Sequence, residues 1–207
     1  MDPRNIVPEF KKRLGAVSVV VLSEDGTSIL VCEDFEKGGR GQRRWSLPGG
    51  TVEESDCGDT FSTAIRELEE ETGVCLSRNA LVKIAFHEKF PNATKKEFFV
   101  ALRPSGIPLR TTGTWQVIER NGERVNMQVL GPPEWVKIED ILVLPPRGYS
   151  AEDKWYLHYS HVRGLVEAIL YLHALGLDKK HLGFHDLWSR VGGRISNLRR
   201  VTNPEAA

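Results

Sequence analysis

The 207 residues carry 28 Lys and Arg against 28 Asp and Glu, and 40% of them are hydrophobic. That length buries a real core as one ordinary domain with an extension, or at most two small ones, and the balanced charge gives no overall basic field to hold nucleic acid. Three cysteines, Cys32, Cys57 and Cys75, are an odd number without metal-type spacing, which argues against a disulfide framework and for reduced thiols in the cytoplasm.

In chain order, Met1 to Leu14 is polar, with Pro3 and Pro8 and no apolar run of signal-peptide length; no later run approaches a membrane span. Ala16 to Leu22 is Val-rich and continuous, as a strand buried on both faces requires. Glu24-Asp25-Gly26-Thr27 is a turn, and Ser28 to Glu33 returns as the second arm of a hairpin. From Asp34 to Arg44 the chain is polar, with Gly38, Gly39 and Gly41 among Lys37, Arg40, Arg43 and Arg44. Two readings stand for it. It is a solvated tip, or a cationic lip in which Arg43 and Arg44 hold phosphates, since guanidinium forks match phosphate geometry. Trp45 is read as packing rather than as a platform for a base.

The stretch from Trp45 to Val74 organises the chain. Leu47-Pro48-Gly49-Gly50 places two permissive glycines beyond a strand, where backbone approaches a ligand or a helix. A helix then runs from Asp59, its N-cap, to Gly73, its left-handed stop. Phe61, Ile65, Leu68 and Thr72 form the buried stripe, and Glu67, Glu70 and Glu71 fall on the opposite face. Carboxylates crowded in this way repel one another, and a divalent cation relieves them. Hard cations such as Mg²⁺ take oxygen ligands and share them with substrate phosphates. An ordinary solvated acidic face is the competing reading.

These residues resemble the Nudix hydrolase family, whose box reads G-x5-E-x7-R-E-U-x-E-E-x-G-U, where U is apolar. Gly50 opens it, and Arg66-Glu67-Leu68-Glu69-Glu70-Glu71-Thr72-Gly73-Val74 matches its second half at every fixed position. Positions 51 to 65, fifteen residues, separate Gly50 from Arg66, where the pattern has 5 + 1 + 7 = 13. Counted back from Arg66, the family's first Glu falls on Gly58. Asp56 or Glu54 takes its place in a longer loop. The resemblance implies that this missing Glu braces the helix and its Arg, and that Glu67, Glu70 and Glu71 hold Mg²⁺, with Mn²⁺ as the alternative. It makes Glu67, Arg66, Glu70 and Glu71 the catalytic set and Gly49 and Gly50 part of the substrate loop.

Beyond the box, Leu81 to Lys89 and Glu97 to Leu102 are strands around Phe90-Pro91, a loop boundary or a weak substrate-subclass signal. Trp115 to Glu119 and Arg124 to Val129 are a hairpin about Asn121-Gly122. It is a surface excursion, or a cover for the site in which Glu119 or Glu123 supplies a base. Glu134 to Ile141 is a closing strand and short helix, ended by Pro145 and Pro146. Ser150 caps a long helix through about Leu175, with Gly176 at its end. Its wide stripe, from Trp155 to Leu172, packs on the core or on a second subunit of a homodimer. Five of the six histidines lie here, and His158/His161 and His181/His185 have helical pair spacing. They read as solvated or packing residues rather than a transition-metal site. The four arginines from Arg190 to Arg200 read as surface.

The expected architecture is α/β: a Nudix-type mixed sheet sandwiched between helices over residues 12–148, with a C-terminal helical extension over 149–200. The expected activity is metal-dependent hydrolysis of a phosphoanhydride in a nucleoside diphosphate linked to another moiety. That class spans nucleotide sugars, ADP-ribose, dinucleotides and nucleoside triphosphates. A Nudix-like sensor that binds a nucleotide without cleaving it is the alternative, and the intact Arg-Glu-x-x-Glu-Glu run counts against it. The isomerase branch acting on isoprenoid diphosphates finds no Cys-centred pattern here.

Overall fold

The computed structural model describes residues 15–35, 44–89, 95–102, 108–120, 122–142, 156–157 and 159–176, with 185, 187–190, 192, 193 and 195. Its strands are β1 (Ala16–Leu22), β2 (Ser28–Glu33), β3 (Arg44–Ser46), β4 (Val82–Lys89), β5 (Lys95–Leu102), β6 (Thr114–Arg120), β7 (Glu123–Leu130), β8 (Glu134–Lys137) and β9 (Tyr156–Leu157). Its helices are α1 (Thr60–Thr72), α2 (Ile138–Ile141) and α3 (Tyr159–Ala174). Among the described residues no helix is long and apolar enough to cross a membrane.

Seven strands form one mixed sheet, ordered β4-β5-β1-β2-β3-β9, with β8 also paired to β2. β1 runs parallel to β5 along its whole length, while β1–β2 and β4–β5 are antiparallel. Both faces are covered, which is why β1 is apolar at every position but the buried Ser18. Val17, Val19 and Val21 point to one side with Leu30, Phe99 and Ala101, against Ala64 and Leu68 of α1. Val20 and Leu22 point to the other with Ile29, Val31, Phe98 and Val100, against Leu165, Val166, Ile169 and Leu172 of α3. This is the expected sheet between helices. Trp45 is 3% exposed and belongs to the α3-side core, as the packing reading requires.

The long helix begins later than the sequence suggests. Tyr156 and Leu157 are an edge strand parallel to β3, so the helix starts at Tyr159 rather than at Ser150. Ser150 and Trp155 lie outside the described residues. Local apolar spacing is compatible with either state, and the free edge of β3 decides for strand. The described apolar residues of α3, Leu165, Val166, Ile169 and Leu172, are buried in the sheet's own core. Gly164 permits the contact: a Cβ there would fall 2.2 Å from the Phe98 ring. β6 and β7 stand as a separate two-stranded sheet about Gly122, which has φ +81°. The hairpin's base is tied to the end of β2, by Phe35 N–H to Val129 C=O at 2.9 Å and Gly131 N–H to Glu33 C=O at 2.8 Å.

Candidate active site

The site is assembled where the Leu47–Gly50 loop lies between β1 and α1. Pro48 C=O accepts from Val19 N–H at 2.8 Å and Gly50 C=O from Val17 N–H at 2.9 Å, so the loop is stitched to β1 as if it were a strand. Gly49 has φ +153°, and a Cβ on it would lie 2.2 Å from the Val17 carbonyl oxygen. Only glycine fits. A Cβ on Gly50 would lie 2.3 Å from Oε1 of Glu67, so this glycine lets the box carboxylate sit on the loop backbone.

α1 has the ends its sequence predicts. Asp59 accepts from Phe61 N–H at 3.3 Å, and Gly73 closes the helix at φ +75°. The buried face is Thr63, Ala64, Leu68 and Thr72, while Phe61 and Ile65 are half-buried at its edge. Phe61 meets Phe99 edge-on, with ring centroids 4.8 Å apart.

The acidic face is not uniformly solvated. Glu69 and Glu70 are exposed, but Glu67 and Glu71 are half-buried beneath the glycine loop. Gly49 N–H donates to Glu71 Oε2 at 2.9 Å. Burial pushes the Glu71 carboxyl up to about 8, and the charges of Glu67, Asp34 and Glu70 push the same way against the Gly49 bond. Burial also raises Glu67, opposed by the Arg66 charge. Asp34, itself 5% exposed, thus adds a carboxylate from the end of β2. No local pattern signals this, because it depends on the sheet setting the end of β2 near α1.

Arg66 ties the cluster together. Its Nε and Nη2 donate to the two oxygens of Asp56 at 3.1 and 2.9 Å. Its Nη1 donates to Glu67 at 2.9 Å and Glu70 at 3.2 Å, and Nη2 also reaches Thr51 C=O at 3.2 Å. Asp56 is 6% exposed and also accepts from Thr63 Oγ1 and Glu53 N–H, both at 2.9 Å. The Arg66 bonds hold its carboxyl down to about 2. Of the two residues open for the family's first Glu, Asp56 is the one against Arg66. Gly58 points away, with open space around its Cβ position and φ +76°.

Among the described residues no group of three or more His, Cys, Asp or Glu side chains is gathered as a metal site. Glu67 and Glu70 are turned to Arg66, and Glu71 to Gly49. The donors fit a hard cation in kind, since all are carboxylate oxygens, and a cation would offset the neighbouring charges that add to burial in raising Glu71.

Of the cationic lip, Arg43 lies outside the described residues. Arg44 opens β3, where its carbonyl accepts from Asp34 N–H at 2.7 Å. Phe90 and Pro91 lie outside the described residues too. Glu119 is exposed and opposes Arg124 in the hairpin. Of the histidines, His158 and His181 are outside, His173 stacks on Trp188 at 3.8 Å, and His161 is buried with Nδ1 accepting from Leu47 N–H at 3.0 Å. Arg110, which the sequence did not single out, closes the C-terminal end of α1. Its N–H donates to Thr72 C=O at 2.8 Å and its guanidinium to Glu70 C=O. A cavity of about 560 Å³ lies beside it, lined by Ser62, Ile65, Arg66, Glu69, Glu70 and Arg110.

The sheet held between α1 and α3, with a glycine loop set on a glutamate-rich helix, defines the class. Residues 12–159 match the family model of the NUDIX domain, and the chain belongs to that family. It is similar to the Nucleoside diphosphate-linked moiety X motif 6 protein of Xenopus laevis, at 30% identity over 103 residues. That match covers 49% of this chain and 45% of the relative, so the chain spans about half of that protein's length. Similar solved structures include the E. coli ORF135 protein, with TM-score 0.48, 17% identity, and 80% of this chain and 95% of that one covered. Another is the NUDIX domain of Shewanella oneidensis NrtR complexed with ADP ribose, with TM-score 0.46, 18% identity, and coverage of 70% and 83%.

Proposed function

We propose that the chain is a metal-dependent pyrophosphohydrolase that cleaves a phosphoanhydride in a nucleoside diphosphate linked to another moiety. The observation that carries this is the Gly49–Gly50 backbone seated on Glu67 and Glu71 while Arg66, gripped by Asp56, holds Glu67 and Glu70 from the other side. Glu67, Glu70 and Glu71 would hold Mg²⁺ or Mn²⁺. The bound cation supplies neutralisation of the diphosphate oxygens as charge develops on them.

The chain's own residues do the rest. Arg66 orients the glutamates rather than gripping substrate, since Asp56 occupies two of its donors. Gly49 and Gly50 keep side chains out of the space beside the carboxylates. Glu67, whose acidity burial weakens, or a carboxylate outside the box accepts the proton of the attacking water. Arg43 and Arg44 meet the phosphates from the lip. We assign the catalytic part to residues 12–148 and an extension to 149–200, supported by the packing of α3 on the second face of the sheet. Free Cys32, Cys57 and Cys75 suit the reducing cytoplasm.

The test is a hydrolysis panel of ADP-ribose, dinucleoside polyphosphates, nucleotide sugars and nucleoside triphosphates with Mg²⁺ or Mn²⁺. The expected result is cation-dependent release of a nucleoside monophosphate from one class. Binding of a nucleotide without cleavage of any would return the sensor reading.

A further inference from the structure

We propose that His161 of α3 is a positioning residue that sets the Leu47–Gly50 loop, and through it Glu67 and Glu71. The inference rests on the hydrolase reading for its effect on turnover, and on geometry alone for its effect on the loop. His161 is 3% exposed, and its Nδ1 accepts from Leu47 N–H at 3.0 Å. Its Nε2 lies 2.5 Å from Lys96 Nζ and 3.5 Å from Ser18 Oγ. The Leu47 N–H is a fixed donor, and an imidazolium has no acceptor at Nδ1, so this bond requires the neutral ring with its proton on Nε2, towards Ser18 Oγ and Lys96.

The position is built for reach. His161 and Gly164 are one helical turn apart on the face of α3 that meets the sheet, and the absent side chain of Gly164 brings the helix down on Phe98. Without that approach the imidazole would not span to the Leu47 backbone.

From Leu47 the constraint passes along four residues. Leu47 is fixed by His161, Pro48 by its carbonyl to Val19 and Gly50 by its carbonyl to Val17. Between them Gly49 delivers its N–H to Glu71, and Gly50 takes the Glu67 carboxylate against its backbone. The Leu47 amide is a buried donor, and buried donors are satisfied or costly. Removing its acceptor frees the loop to shift, and a shift moves Gly49 N–H off Glu71. The helix on one face of the sheet thereby aligns carboxylates on the helix of the other face.

Two substitutions separate this from a packing role. His161→Asn keeps an acceptor at the place of Nδ1, and His161→Phe keeps bulk without one. Amide hydrogen exchange by NMR and steady-state kinetics are measured on both full-length variants, with melting temperature as the fold control. In His161→Phe, exchange at Leu47 and Gly49 should quicken at least about tenfold and kcat should fall about tenfold with KM nearly constant. His161→Asn should restore both. If His161→Phe does not fold, His161→Ala, which leaves room for the loop, carries the comparison. Unchanged exchange and kcat in the folded variant lacking an acceptor would overturn the proposal, as would an Asn variant no better than Phe. If the wild-type protein cleaves nothing, the hydrolase reading fails while the exchange measurement still decides this one.

Discussion

Asp56 grips Arg66 through both carboxylate oxygens, at 3.1 Å to Nε and 2.9 Å to Nη2, from a loop two residues longer than the family pattern. The extra length lets a shorter acid reach the arginine. A one-turn 3-10 helix, Glu54–Asp56, carries it there.

The first prediction concerns this pair. A charge-assisted bond to Arg is worth about 1.5–3 kcal/mol, so Asp56→Asn should loosen Glu67 and Glu70 without removing them. Turnover and Mg²⁺ affinity should each fall about tenfold, a loss of ~1.4 kcal/mol. Glu54→Gln should change neither, because Glu54 is exposed and Asp56 occupies the place. The pair also shapes acid stability. The folded Asp56 carboxyl sits at about 2, below its ordinary 3.8, so its contribution is full above 3.8 and is lost as pH falls through 2. Acid denaturation curves of Asp56→Asn should lack that component.

The second concerns Gly50. A Cβ there meets Glu67 at 2.3 Å, and that carboxylate is held by Arg66 at 2.9 Å. Gly50→Ala should therefore expel Glu67 from the loop and lower kcat about tenfold or more, with a small change in melting temperature. Wild-type kcat in this variant would show that Glu67 works from another position.

The third uses Glu71. Its folded carboxyl is pushed from an ordinary 4.5 to about 8, so between those values the folded state binds the extra proton. Stability of the metal-free protein should then fall as pH rises from about 4.5 to about 8. Glu67 acts in the same direction. Mg²⁺ should raise the melting temperature more at pH 8 than at pH 5, because only the ionised carboxylates bind it. Glu71→Gln should flatten both effects. A Mg²⁺ shift independent of pH would contradict the assignment.

The fourth concerns α3. Leu165, Val166, Ile169 and Leu172 are buried against the sheet, and each such side chain contributes about 1.5–3 kcal/mol. Deleting residues from Ser150 onward uncovers Phe98 and Val100 and should give an aggregating protein. A soluble core with full activity and an unchanged melting temperature would show the extension to be dispensable.

How much of this was legible follows from the range of each interaction. β1 and β2 have the predicted bounds because a strand covered on both faces is an almost continuous apolar run, which is a local signal. The ends of α1 were legible through Asp59 and Gly73, whose roles are local too. The acidic face was legible as an angle but not as an environment. Periodicity places Glu67 and Glu71 away from the stripe, and only the returning glycine loop shows that they are half-buried. The start of α3 was misread because the edge of β3 converts Tyr156–Leu157 to strand. His161 and Arg110 were missed as anchors because their partners are backbone groups 114 and 40 residues away.

The central claim is that the carboxylates under the glycine loop carry a metal-dependent hydrolysis, and Glu71→Gln tests it most directly. Gln keeps the size of Glu71 and an oxygen for the Gly49 N–H, so the fold should stand and the charge alone is lost. Turnover of the best substrate in the panel, measured across Mg²⁺ concentration, should fall far below a tenth of wild type. Retention of more than about a tenth of kcat, a barrier change under ~1.4 kcal/mol, would contradict the account.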